Sequence, residues 1–127
     1  MPKEFINPPG LHKPPTYSQV VKAGNTVYAA GQTAVDENGK VVSGDFEAQA
    51  VQVFENVRQA LEAAGASMKD VVKMTTYLTD VANRPKYGEV RTRYFSPPLP
   101  ASTLVGISAL ASPDYLIEVD VTAVIDD

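Results

Sequence analysis

At 127 residues, with 44% hydrophobic and 20% charged content, the chain has the size and make-up of one soluble globular domain with a single core. Its 11 basic residues against 15 acidic ones give a formal charge of −4, the wrong sign for affinity built on neutralising phosphates, so nucleic acid is not expected as a partner. The absence of cysteine excludes disulfides, thiolate metal sites and cysteine nucleophiles, and no apolar run is long enough for a signal peptide or a bilayer span, so a cytoplasmic protein without membrane contact is expected.

In chain order, residues 1–16 read as a proline-rich arm: Pro2, Pro8, Pro9, Pro14 and Pro15 fix φ and remove N–H donors, which favours an extended lead-in. Residues 17–127 read as the single domain. YSQVVKA and TVYAAGQ are two strand-like runs separated by Gly24-Asn25, residues that tolerate the positive φ of a tight hairpin turn. Asn38-Gly39 marks a second, shorter hairpin or an excursion at the sheet edge.

Asp45 then offers a carboxylate to cap a helix. Phe46, Ala50, Val53, Phe54, Val57, Leu61 and Ala64 recur at spacings of three and four, which predicts one apolar helix face ending at Gly65. VVKMTTYL at 71–78 alternates as a strand. Asn83 is placed to cap a second helix on which Tyr87, Val90, Arg91 and Tyr94 share a side, and Pro97, Pro98 and Pro100 stop it. TLVGISAL and LIEVDVTAVI give two closing strands around Pro113-Asp114.

The predicted architecture is a layered α+β domain with both helices on one face of a mixed β-sheet. In the last strand Ile117, Val119, Val121, Ala123 and Ile125 point one way, and Glu118, Asp120 and Thr122 the other. The second sheet face is therefore partly polar, yet neighbouring strands place Val and Ala on it too. Burial against another copy, with polar groups lining an interfacial cleft, reconciles the two.

The residues met so far fall in a familiar order: Tyr17-Ser18-Gln19, Val21 to Asn25, Ala30-Gly31-Gln32, Gly44 to Gln49, Asn56 and Leu61 to Ala66. They continue with Asp70 to Lys73, Thr79-Asp80, Tyr94-Phe95, Pro100-Ala101 and Ile117 to Asp120. In this order the chain resembles the Rid family, also called YjgF/UK114, from Phe5 to Ile125. The resemblance implies a chorismate-mutase-like fold and a homotrimer with the second sheet face buried and three inter-subunit clefts. It also implies hydrolysis of enamines and imines, such as 2-aminoacrylate, to keto acids and ammonia, with no metal or organic cofactor.

The chain departs from the family at the pocket. The deaminating members carry an arginine after the Pro-Ala pair that clamps a substrate carboxylate, and here that position is Ser102. A charged hydrogen bond of that kind contributes about 1.5–3 kcal/mol, one to two orders of magnitude in binding. The residue two further on is Leu104, an asparagine of the second helix falls on Gly88, and the acidic residue near the end of the last strand is shortened to Asp120.

Asp120 is accordingly the expected catalytic carboxylate, positioning or protonating a water once desolvation raises its pKa. Tyr17, Gly31, Gly88, Ser102 and Thr103 are the expected ligand-binding residues, with Ser102 and Thr103 donating hydroxyl hydrogen bonds. Glu118 shares the parity of Asp120 but is read as a structural carboxylate. Arg84, Arg91 and Arg93 are read as a solvated basic face of the second helix, and His12 as a surface residue of the arm. One histidine and no cysteine leave no metal-ligand cluster. The functions in contention are a small-molecule hydrolase, a metabolite-binding trimer without chemistry and, disfavoured by charge, an endoribonuclease.

Overall fold

The fold comes from a computed structural model that describes residues 2–42 and 44–126; Met1, at the head of the arm, Ser43 and Asp127, at the end of the domain, lie outside the described residues. Six strands, β1 (Glu4–Ile6), β2 (Val20–Ala23), β3 (Thr26–Gln32), β4 (Val71–Leu78), β5 (Ala101–Gly106) and β6 (Ile117–Val124), form one sheet in the order β1-β2-β3-β6-β4-β5. Only β4 and β5 run parallel, joined through α2 (Arg84–Thr92); α1 (Phe46–Ala63) links β3 to β4. The predicted α+β architecture, two helices on a mixed sheet, is what the chain adopts.

Local chemistry explains the main elements. Gly24, at φ 61°, turns β2 into β3, with Ala23 opposite Thr26. Asp45 caps α1 by accepting from the Ala48 amide at 2.8 Å. Gly65, at φ 81°, ends that helix in a motif where the Ala66 and Gly65 amides donate back to the Leu61 and Glu62 carbonyls, at 2.9 and 3.0 Å. The predicted apolar face of α1 packs on Val27, Val119, Val121 and Ala123, all buried.

Four details differ from the sequence expectations. The arm is part of the sheet: Glu4–Ile6 pairs with β2, and Leu11 is buried in the core. A chain of amides holds it there, Gln32 Nε2 donating to Gln19 Oε1 at 2.7 Å and Gln19 Nε2 to the His12 carbonyl at 2.9 Å. The Asn38-Gly39 hairpin reduces to one bridge between Val35 and Val41, because the Asp36 side chain takes the Asn38 and Lys40 amides into a tight turn. Asn83 makes no side-chain cap; Asp80 instead caps the short 3-10 turn Val81–Asn83 that leads into α2. The strand expected at 103–110 is shifted to Ala101–Gly106.

Gln49, 2% exposed, ties distant segments together: its Nε2 donates to the Val42 and Asp114 carbonyls, and its Oε1 accepts from the Leu116 amide. Gln49→Leu leaves those backbone groups without their partner and is expected to cost about 1–3 kcal/mol, read as a lower urea midpoint with an unchanged m-value.

The face of the sheet away from the helices has no cover within one chain. Phe5, Val21, Tyr28 and Thr122 follow one another across it in register, and Glu118, Tyr77 and Val105 do so further along. Tyr28 is 51% exposed and Phe5 66%.

Candidate functional site

The ladder between β3 and β6 breaks once. Ala29 pairs with Val121 and Gln32 with Val119, so Ala30 and Gly31 together oppose the single residue Asp120. This bulge brings the Gly31 backbone against the end of the Glu118 side chain: a Cβ on Gly31 would stand 2.0 Å from Glu118 Oε2. Only glycine leaves room for the carboxylate there.

Glu118 is half-buried on the open sheet face, and burial, with the Asp120 charge second, pushes its carboxyl above the ordinary value. Tyr17 stands by, its phenol raised by burial first and then by Glu118 and Tyr115. On the same face Tyr77 donates to Asp120 Oδ2 at 3.2 Å, and its phenol is raised chiefly by the Asp120 charge. The arrangement is a carboxyl that keeps its proton to higher pH than usual, edged by the Gly31 backbone and a phenol.

The other face of the sheet offers a second feature at its β5 edge. Ser102, Leu104 and Gly106 pair with Met74, Thr76 and Leu78, whose side chains face the helices. Between this edge and α2 lies an open groove of about 1080 Å³, lined by Ser102, Leu104 and Gly106 together with Arg84, Gly88 and Arg91. A smaller pocket of about 260 Å³, lined by Met74, Phe95, Leu99 and Pro100, adjoins it and shares Arg91 and Ser102. Nothing stands within 4 Å of where a Cβ on Gly88 would lie, so the glycine leaves the groove wall open.

The predicted site residues therefore fall into two groups. Gly88, Ser102 and Leu104 meet in the groove, while Tyr17, Gly31 and Asp120 lie on the open face, Tyr17 and Gly31 around Glu118. Within one chain the four departures lie on two faces of the sheet, because alternation along paired strands sends Ser102 to the face of Met74 and Asp120 to the face of Thr75. Thr103, one residue on from Ser102, goes to the open face too and accepts from Lys73 Nζ at 2.8 Å.

Two residues gain importance that the sequence reading did not give them. Glu118, read as structural, is the carboxylate at Gly31. Arg91 is not on a solvated face: it is partly buried with its guanidinium carbon 5.3 Å from the Tyr87 ring centroid. Arg93 does face outward and pairs with Glu47 at 2.7 Å. The signal for Glu118 was the glycine at position 31, but only the register shows which acid it accommodates.

Among the described residues no group of three or more His, Cys, Asp or Glu converges as a metal site, and no helix is long and apolar enough to cross a membrane.

Comparison with known proteins identifies relatives of the whole chain. The endoribonuclease L-PSP family model matches residues 11–125. A RutC family protein of Pyrococcus abyssi is 43% identical over 125 residues, 97% of this chain and 98% of the relative. The 3-aminoacrylate deaminase RutC of Acinetobacter baylyi is 40% identical over 121 residues, 94% of this chain and 95% of the relative. Among solved structures, RidA of the Antarctic bacterium Psychrobacter superposes with a TM-score of 0.91 at 39% identity, covering 96% of this chain and 99% of that one.

Proposed function

The chain belongs to the endoribonuclease L-PSP family, the Rid family whose motifs its sequence carries, and we propose that it is a Rid-type hydrolase deaminating small enamines or imines in a cleft between copies of itself. The observation that carries the reading is the Glu118 carboxyl, half-buried against the Gly31 backbone and raised in pKa by that burial. The name of the Acinetobacter relative, a 3-aminoacrylate deaminase, is in keeping with it.

In the proposed reaction an enamine first takes a proton at carbon and releases one from nitrogen, giving the imine. Glu118 accepts a proton from water as the water oxygen bonds to the imine carbon and the π pair moves to nitrogen. The carboxyl returns that proton to the nitrogen to give a carbinolamine; its carboxylate then takes the hydroxyl proton and delivers it to the amine as the C–N bond breaks, so that a carbonyl compound and ammonia leave. The Gly31 backbone at the bulge and the Tyr17 phenol are the groups placed to orient the reacting atoms. The raised pKa makes the carboxylate form of Glu118 a stronger base toward water than an ordinary glutamate.

The groove at Ser102 and the carboxyl at Glu118 open on opposite faces of one sheet, so a small ligand touching both sits between two copies. A homotrimer that buries Tyr28 and Val105 on the open face supplies such clefts and explains why those side chains lack cover in a single chain. Cleavage of RNA has no support from charge, which is −4 overall.

The test is to generate 2-aminoacrylate and larger 2-imino acids in situ and follow ammonia and keto-acid release with the parent and Ser102→Arg, alongside the mass in solution by light scattering. Turnover by a three-chain particle is expected. Saturable binding with no turnover above the uncatalysed rate supports the metabolite-binding reading instead, and an active monomer overturns the inter-copy cleft.

A further inference from the structure

The groove along β5 is cationic in an acidic protein. Its lining holds Arg84 and Arg91 and no carboxylate, and the adjoining pocket adds none. Other cations nearby are neutralised: Lys86 by Glu47 and Glu89, Arg93 by Glu47. Arg84 and Arg91 have no carboxylate partner among the described residues.

Arg91 differs from Arg84 in being held. Its guanidinium lies over the ring of Tyr87, which is 1% exposed and fixed by a 2.5 Å hydrogen bond between its hydroxyl and Thr76 Oγ1. A planar donor fixed in this way loses little freedom on binding a carboxylate. Arg91 also stands where the polar groove meets the apolar pocket, lining both together with Ser102.

We infer that Arg91 is the anion-binding residue of the cleft, and that the ligand is a small monocarboxylate whose apolar side group occupies the pocket of Met74, Phe95 and Leu99. The hydroxyl of Ser102, between the two cavities, is placed for the polar atom next to the carboxylate. Pyruvate-sized ligands leave the 260 Å³ pocket empty; a branched four- or five-carbon chain places apolar surface in it.

The inference rests on the proposed cleft as a ligand site and not on its chemistry. Calorimetric titration of the assembled protein with 4-methyl-2-oxopentanoate, pyruvate and 4-methyl-2-pentanone, which lacks the carboxylate, tests it. The branched oxo acid is expected to bind at least about tenfold more tightly than either of the others. Arg91→Gln is expected to weaken it by about 10- to 100-fold with an unchanged melting profile, and Arg91→Lys to recover part of the loss.

Equal affinity for the oxo acid and the ketone in the parent, or for the oxo acid in parent and Arg91→Gln, overturns the assignment of Arg91. Equal affinity for pyruvate and the branched acid overturns the apolar subsite. A parent that binds the oxo acid but releases no ammonia from imines overturns hydrolysis and leaves Arg91 in place.

Discussion

Glu118→Gln is expected to lower ammonia release by two to four orders of magnitude, the usual contribution of a positioned general acid and base, with ligand affinity changed far less. The amide keeps the shape of the side chain but can neither accept the proton of water nor return it to nitrogen. Gly31→Ala reaches the same group by another route, since the new methyl occupies the space of Glu118 Oε2 and must displace the carboxylate. Asp120→Asn, which leaves the contact with Gly31 intact, is the control. Full activity in Glu118→Gln with loss in Asp120→Asn would restore the assignment that strand parity and family resemblance gave to Asp120.

The same substitution carries a stability signature of known sign. The Glu118 carboxyl keeps its proton to higher pH in the folded chain than the 4.5 of an ordinary glutamate. Between those two values the unfolded chain has already released the proton, so folding stability falls as pH rises through the window. Gln has no such penalty. Glu118→Gln is therefore expected to melt higher than the parent at pH 7 and together with it below about pH 4. A site residue that destabilises the fold it sits in is a common trade between activity and stability.

Phe54→Ala is expected to cost about 3–5 kcal/mol, the largest stability loss of any single truncation considered. Phe54 is fully buried on α1 and is the centre of an aromatic cluster, stacked with Tyr94 at 5.1 Å and Tyr87 at 5.9 Å and edge-on to Phe95 at 5.8 Å. Those neighbours belong to α2 and the turn after it, so the cluster is the contact that seats α2 beside the sheet. Urea unfolding at fixed protein concentration measures the loss. Because Tyr87 carries Arg91 and Phe95 lines the apolar pocket, ligand affinity should fall in the same variant at temperatures where it remains folded. A cost under about 1 kcal/mol would mean that the cavity collapses or that the cluster contributes little.

Local chemistry made much of the fold readable. The apolar spacing of α1, its Asp45 cap and Gly65 stop, the Gly24-Asn25 turn and the alternation of the last strand are each set by residues within a few positions of one another, and they appear as expected. Less was readable where a neighbouring turn or a pairing strand intervenes. Asn83 makes no cap because a 3-10 turn capped by Asp80 leads into α2, and the head of the proline-rich arm becomes a strand because it pairs with β2, while Gln19 and Gln32 hold the arm at His12.

By itself, the sequence determined the family, the α+β layering and the departures at Ser102, Leu104 and Gly88, since these depend on residue identity and short-range period. The tertiary structure alone decided which of those residues meet. Glu118 and Asp120 have the same parity, and only the bulge at Ala30-Gly31 brings one of them against Gly31. Ser102 and Thr103 are neighbours in sequence, yet strand pairing sends them to opposite faces of the sheet. Arg91 reads as one more charge on a helix until the burial of Tyr87 fixes it at the mouth of a pocket. Register, strand order and ring packing are long-range properties, and no local pattern encodes them.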